Sequence, residues 1–214
     1  MEAIFQVSLA AITQNYTYFQ KRVDPAQVIP VVKANAYGHG ALEITRHLHT
    51  KLGVQTFAVA TLEESQELAA VFPEISILIF SRVFPSELPS VPENAILTVT
   101  SMEDALALSK SQINGIRVHL NVNTGMNRLG LSSEEALELI SAKGSNLQIE
   151  GVYSHFSSSD TISEVVYSQQ NSEFNSLIEK LRAGGFPGLV HIANSSAGLH
   201  DQQNPFDAMR LGIA

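Results

Sequence analysis

The amino-acid sequence predicts an α/β fold, a (β/α)8 barrel of the TIM type, and three observations support that prediction. Short apolar runs typical of strands alternate with helical patterns along the 214-residue chain. This alternation favours a parallel sheet, because the connection between two parallel strands takes up a helix's worth of chain. There are eight such runs, which is enough to close a barrel. No G-x-G-x-x-G pattern follows any of them, which weakens the competing prediction of an open, doubly wound, dinucleotide-binding sheet.

The predicted order of elements begins with a helix over residues 8–23, before the first strand. The strands are predicted over 28–34, 56–60, 75–80, 95–100, 117–122, 149–154, 190–194 and 209–214. The helices between them are predicted over 41–52, 61–72, 101–111, 132–143 and 163–185. The barrel is therefore permuted, since it begins with a helix and ends with a strand.

Local signals support these helices. Several begin at Ser or Thr followed by acidic residues, which is typical of a helix start, and two glycines close the last one. Between residues 81 and 94, three prolines leave room for only a short helix.

Composition restricts the function. The chain is 44% hydrophobic and 16% charged, which fits one globular α/β domain over residues 1–214. Its net charge of −8 argues against a nucleic-acid or anionic-membrane partner. No signal peptide or apolar run of ~18 residues is present, so we predict a cytoplasmic protein. The absence of cysteine excludes disulfides and thiolate chemistry, and the seven scattered histidines predict no metal site.

Polar residues follow five of the predicted strands. In a barrel, the carboxyl ends of the strands share one face, so we expect these residues to converge there. They are Lys33 with Tyr37, the segment 123–128 with Arg128, His155, the segment 194–196, and Arg210 to Gly212. This set suits a phosphorylated anionic ligand whose carbonyl group a lysine attacks. Each member alone also has an ordinary interpretation, as a surface lysine, a core histidine or a turn glycine.

Five segments resemble the alanine racemase family over essentially the whole chain. They are VVKANAYGHG (31–40), VHLNVNTGMNRLG (118–130), GVYSHFSSSD (151–160), HIANSSA (191–197) and MRLGIA (209–214). The resemblance implies a barrel that binds pyridoxal 5′-phosphate (PLP) and an isomerase that converts L-alanine to D-alanine for peptidoglycan. It also implies a homodimer for the full-length protein.

The resemblance also implies roles for individual residues. Lys33 resembles the lysine that forms the internal aldimine with PLP and serves as one of two bases at the substrate Cα. Arg210 matches the arginine facing the pyridine nitrogen, and His155 the histidine that supports it. Arg128 matches the arginine near the phenolic oxygen and the substrate carboxylate. The implied cofactor-binding set is Lys33, Tyr37, Arg128, His155, Asn194, Ser195, Arg210, Gly212 and Ile213.

The sequence also departs from the family pattern. Asn121 stands where the family usually has a carbamylated lysine that orients the arginine matching Arg128, so we expect Asn121, or an anion beside it, to orient Arg128 instead. Asn123 replaces an aspartate, and Ser8 replaces an acidic residue.

A larger departure concerns the family's second, mostly β domain, which supplies a catalytic tyrosine. We expect that domain to be absent from these 214 residues, and we therefore expect weak activity from this chain alone. Two alternatives remain open at this stage, a non-catalytic PLP-binding barrel and a Schiff-base aldolase of the same barrel class.

Overall fold

The structure is a computed structural model that describes residues 6–142, 145–159, 164–200 and 206–212. Its strands form one eight-stranded parallel sheet in the order β1-β8-β7-β6-β5-β4-β3-β2. They are β1 Gln27–Pro30, β2 Thr56–Val59, β3 Ser76–Ile79, β4 Ala95–Val99, β5 Ile116–Asn121, β6 Leu147–Tyr153, β7 Leu189–His191 and β8 Ala208–Leu211. A bridge between Val31 and Ala58 joins β1 to β2, so the sheet is a nearly closed barrel. The predicted fold class is confirmed.

Helices surround this barrel. They are α1 Leu9–Val23, α2 Lys33–Tyr37, α3 Ala41–Leu52, α4 Leu62–Ala69, α5 Met102–Ser109, α6 Ser133–Ser141, α7 Glu164–Ala183 and α8 Ser195–His200, with a 3₁₀ helix at Pro85–Ser90. One of these short elements, α2, has left-handed φ and ψ angles at Ala34, Asn35 and Ala36. Side chains of Thr61, Ser101 and Ser132 cap α4, α5 and α6, as the Ser/Thr-acidic pattern predicts. Among the helices of the described ranges, none has the length and hydropathy needed to cross a membrane.

The barrel interior has two different halves. Because side chains alternate along each strand, one set faces the helices and the other faces the lumen. On one side, the lumen holds a small apolar cluster, which consists of Ile29, Val31, Ala58, Leu78, Ile96 and Ala208. Polar side chains occupy the lumen on the other side, and they are Thr98, His119, Tyr153, His191 and Arg210. Two members of this polar set, Tyr153 and Arg210, also line the cavity at the carboxyl ends of the strands.

Several predicted strand ends lie beyond the observed ones, and two of them bear on the site. The first strand was predicted to continue to residue 34, but β1 ends at Pro30 and the chain turns at Lys33. The seventh was predicted to reach residue 194, whereas β7 ends at His191 and α8 begins at Ser195. In both places backbone hydrogen bonds to the neighbouring strand continue briefly past the assigned end, from the Val31 N–H to the Leu211 carbonyl and from the Arg210 N–H to the Ala193 carbonyl, so the apolar pattern extends beyond the assigned boundary.

Candidate active site

A cavity of about 570 Å³ opens at the carboxyl ends of the strands. Eight of the residues predicted from the sequence line it, and they are Lys33, Tyr37, Arg128, His155, Asn194, Ser195, Arg210 and Gly212. Ile213, the ninth, lies outside the described residues. The barrel thus brings together residues that are up to 179 positions apart in the sequence (212 − 33).

Lys33 begins an unusual turn. The four residues from Ala34 to Tyr37 have φ angles between 50° and 54°, a left-handed conformation that costs roughly 1–2 kcal/mol per residue. Gly38 ends the turn, and its N–H donates to the Ala34 carbonyl at 3.0 Å. The turn leaves the Lys33 Nζ 5.9 Å from the centroid of the Tyr37 ring, with both side chains on the cavity.

Hydroxyl and backbone donors collect at one end of the cavity. The Gly212 N–H donates to Ser195 Oγ at 3.0 Å, which leaves the serine hydroxyl free to donate elsewhere. A Cβ at Gly212 would lie 2.5 Å from the Tyr37 Oη, so a side chain there would force Tyr37 to move. Burial, and then the negative charge of Glu64, raise the pKa of Tyr37, so its hydroxyl stays a donor at neutral pH. Asn194 borders this end and accepts from Ser159 Oγ at 2.8 Å.

Arg210 on β8 is the most firmly held side chain of the site. It is 4% exposed, and its guanidinium donates to the carbonyls of Ser154 (2.7 Å) and Ile192 (3.1 Å). It also contacts His191 Nδ1 at 2.6 Å and His155 Nδ1 at 3.1 Å. Within the described ranges it pairs with no carboxylate. Burial lowers the pKa of Arg210 to about 10, so the group is still a cation at neutral pH.

A buried chain of side chains supports Arg210 from below. Because arginine only donates, His191 Nδ1 must accept, and the imidazole proton therefore lies on Nε2, which is 3.1 Å from His119 Nδ1. Tyr153 stacks on His191 with ring centroids 5.0 Å apart and also lies 5.2 Å from the Arg210 guanidinium carbon. Its hydroxyl bonds to Thr98 Oγ1 at 3.1 Å. The sequence analysis did not assign His119, Tyr153 and His191 to the site. Their inward-facing positions on β5, β6 and β7 could have indicated that they lie in the barrel beside Arg210.

The histidines of this region are neutral. Burial, followed by the charges of Arg117 and Arg210, lowers the pKa of His119 to about 3. Burial, followed by the charges of Arg210, Arg128 and Lys33, lowers the pKa of His155 to about 3. Burial and Arg210 also hold the pKa of His191 well below its usual value. A neutral His155 is an acceptor for Arg210, and it cannot act as a cation in the cavity.

Gln170 on α7, which sequence reasoning also missed, joins two loops of the site. Its Oε1 accepts from the Ser157 N–H at 3.0 Å, and its Nε2 donates to the His155 carbonyl at 3.0 Å. The same Nε2 donates to Thr124 Oγ1 at 3.3 Å. Gln170 is 1% exposed, so these bonds lie in the interior. The loop with His155 and the loop with Arg128 therefore share one anchor.

Arg128 differs from Arg210. It is exposed at the cavity mouth and makes no hydrogen bond with the described part of the chain. The sequence predicted that Asn121, or an anion beside it, orients Arg128; both residues line the cavity, and no hydrogen bond joins them in the described part of the chain. Asn123 organises its own loop by accepting from the N–H groups of Gly125 and Asn127.

Comparisons with known proteins agree with this geometry. The family model "Alanine racemase, N-terminal domain" matches residues 7–214. The alanine racemase of Streptococcus pyogenes serotype M28 is 34% identical over 98% of this chain, and that of Geobacter sp. strain M21 is 35% identical over 98%. This chain spans 58% and 59% of the length of these two relatives.

Solved structures show the same likeness. The alanine racemase of E. faecalis superposes with a TM-score of 0.87 at 32% identity, over 97% of this chain and 58% of its own. That of Corynebacterium glutamicum gives 0.85 at 26% identity, over 97% and 61%. The family is PLP-dependent, and the matched domain is its PLP-binding barrel. The chain therefore belongs to the alanine racemase family, and it corresponds to the family's N-terminal domain.

Proposed function

We propose that this chain is the PLP-binding barrel of an enzyme that racemises L-alanine and D-alanine. One observation carries the proposal, which is that the Lys33 amine and a buried, carboxylate-free Arg210 line the same cavity. Its relatives are named alanine racemase, which points to alanine as the substrate. Family membership does not favour the two alternatives, a non-catalytic barrel and an aldolase.

The residues of the cavity fit PLP group by group. Lys33 supplies the amine for the cofactor's aldehyde. The phosphate would suit the hydroxyl donors of Tyr37 and Ser195, and the Gly212 N–H, which donates to Ser195 Oγ, leaves that hydroxyl able to donate. Arg210 suits the pyridine nitrogen as a hydrogen-bond donor. When bound, PLP withdraws electrons from the substrate Cα and makes its proton acidic.

The chain's own residues then determine the outcome. The Lys33 amine removes a proton from one face of Cα and returns one there. Arg210 does not give up its proton at neutral pH, so it would donate a hydrogen bond to the pyridine nitrogen without protonating it, and the ring would be less able to hold negative charge. Proton return to Cα is then favoured over protonation of the cofactor, which favours racemisation over transamination. Arg128 at the mouth suits the substrate carboxylate.

Racemisation needs a second base on the opposite face of Cα. Of the residues described at the cavity, Tyr37 and Tyr153 are the tyrosines, and the Tyr153 hydroxyl is bonded to Thr98 Oγ1. We therefore propose that the second base comes from the family's second domain in a partner subunit, so that the full-length enzyme is a homodimer. A cytoplasmic location and a role in peptidoglycan supply are part of the same proposal.

Cofactor attachment is tested by borohydride reduction of the protein with PLP, followed by peptide mass mapping. We expect the pyridoxyl group on Lys33 and no attachment in Lys33→Ala. The control is Lys110→Ala, which removes an exposed lysine at the C-terminal end of α5 and should behave like wild type. Labelling elsewhere, or undiminished binding in Lys33→Ala, would contradict the proposal.

Racemisation is tested by following D-alanine formation from L-alanine at saturating PLP. We expect the 214-residue chain alone to be at least ~100-fold slower than a full-length relative, because loss of a positioned general base costs roughly 10²- to 10⁴-fold. Solvent deuterium entering Cα with retention of configuration would indicate that Lys33 works on one face. Full-rate racemisation would show that the second base lies within this chain.

A further inference from the structure

The left-handed turn that carries Lys33 needs an external support. Four consecutive non-glycine residues with positive φ are unfavourable, and such a conformation persists only when its surroundings hold it. Part of that support is local, since the Asn35 side chain accepts from the Ala41 N–H at 2.8 Å and thereby ties the turn to α3. The Ala34 N–H, directly after Lys33, has its partner on a different element.

That partner is Glu64 on α4. Its Oε1 accepts from the Ala34 N–H at 2.6 Å, and its Oε2 accepts from the Ala60 N–H at 2.7 Å and the Thr61 N–H at 3.3 Å. One carboxylate therefore joins the turn after β1 to the end of β2. Hydrogen bonds to a charged acceptor are about twice as strong as neutral ones, so this contact is well suited to hold a strained turn.

The start of helix α6 provides a comparison for the contacts of Glu64 at the start of α4. Both α4 and α6 begin with a capping box, Thr61 with Glu64 and Ser132 with Glu135. The Glu135 carboxylate accepts from the Ser132 N–H at 2.8 Å, a bond within its own helix start. Glu64 makes the same local bond to Thr61 and two further bonds beyond its helix. The additional contacts are not needed for capping, and they lie next to Lys33.

The Glu64 carboxylate does not engage the amine of Lys33 among the described residues. The described residues contain no ion pair between Glu64 and Lys33, and the carboxylate is instead satisfied by three backbone N–H groups. An ion pair would favour the ammonium form of the lysine, which cannot attack an aldehyde. Glu64 thus orders the backbone beside Lys33 without holding its side chain.

We propose that Glu64 is a positioning residue for Lys33, because its carboxylate fixes the Ala34 N–H and so places the lysine for reaction with the PLP aldehyde. This rests on the proposed function of Lys33. Glu64 is not among the residues that line the cavity.

The test compares Glu64→Ala and Glu64→Gln with Glu135→Ala, which removes the matched capping box on α6. The first measurement, made without cofactor, is amide hydrogen exchange of peptides covering residues 33–38. We expect faster exchange in both Glu64 variants and a wild-type rate in Glu135→Ala. The amide of the Glu64→Gln variant has a single acceptor oxygen for the two N–H groups of Ala34 and Ala60, so it cannot restore the contact.

The second measurement is the PLP dissociation constant from the absorbance of the lysine-bound cofactor. We expect it to rise at least ~10-fold in the Glu64 variants, the size of one lost charge-assisted bond, and to change less than about twofold in Glu135→Ala. Equal behaviour of all three variants in both measurements would overturn the proposal. If wild type binds no PLP, the proposed function fails, while the exchange rates still decide whether Glu64 holds the turn.

Discussion

Arg210 and Arg128 face the same cavity with the same charge, yet they are held in opposite ways. Arg210 projects from β8 into the barrel and is fixed by carbonyls and imidazoles of β6, β7 and the loops that follow them. Arg128 lies on the loop after β5, is exposed, and makes no hydrogen bond to the chain as described. A strand holds a side chain before any ligand arrives, whereas a loop leaves it to be ordered by the ligand or by a further domain.

This difference also explains the neutral histidines. A buried cation cannot be compensated by another cation, so the groups around Arg210 are acceptors, and burial together with the arginine charge keeps them unprotonated. Burial first, and then nearby arginine charge, thus keep the histidines around Arg210 neutral. The exposed Arg128 adds only a smaller contribution to the lowered pKa of His155.

The largest expected effect is on stability, in Arg210→Ala compared with Arg128→Ala. Removing Arg210 leaves a cavity and several buried acceptors without donors, so we expect a loss of about 3–5 kcal/mol in the free energy of unfolding. Arg128→Ala removes an exposed side chain, and we expect a change within about 0.5 kcal/mol. Urea denaturation of both variants measures the two losses. Similar losses would mean that the strand and loop arginines are equally integrated.

The next largest expected effect is a dependence of the free energy of unfolding on pH. In the folded protein the pKa values of His119 and His155 are about 3, against the ordinary 6.5. Between about pH 3 and about pH 6.5 these histidines take up protons in the unfolded chain but not in the folded protein. Their contribution to the free energy of unfolding is therefore fully present above about pH 6.5 and is lost as the pH is lowered. Each such histidine contributes a slope of about 1.4 kcal/mol per pH unit.

His119→Gln isolates one of these slopes, because the glutamine oxygen still accepts from His191. We expect the variant to lose stability less steeply than wild type between about pH 6.5 and about pH 4.5, by about one proton. Urea denaturation at several pH values measures both slopes, and carboxylate titration is common to the two proteins. Identical slopes would mean that His119 is protonated in the folded state.

Most of the fold could be predicted from the sequence, because it rests on local signals. Helix α3 was predicted with its observed ends, and the predicted and observed strands begin within two residues of each other. The roles of His191 and Gln170 could not be predicted, since each depends on which strands and loops become neighbours. The left-handed turn after Lys33 was missed for the same reason, because its support is Glu64, a residue 31 positions away (64 − 33).

A third prediction concerns the shared anchor of the two loops. Gln170→Ala removes the donor for the His155 carbonyl and the acceptor for the Ser157 N–H, and we expect a loss of about 1–3 kcal/mol in the free energy of unfolding. The neighbouring Gln169→Ala is the control, because Gln169 is exposed and its removal should cost less than about 0.5 kcal/mol. Urea denaturation separates the two variants, and equal losses would mean that the loops do not depend on Gln170.

The smallest expected effect separates the ring of Tyr153 from its hydroxyl. Tyr153→Phe loses the bond to Thr98 but keeps the stack on His191 and the ring face beside Arg210, so we expect a loss of about 1 kcal/mol. Tyr153→Leu loses the ring as well, and should cost about 1–2 kcal/mol more, because aromatic pairing and the cation–π contact disappear together. Urea denaturation of the two variants gives this difference directly. A phenylalanine variant as unstable as the leucine variant would mean that Arg210 is held through the hydroxyl network and not by the ring.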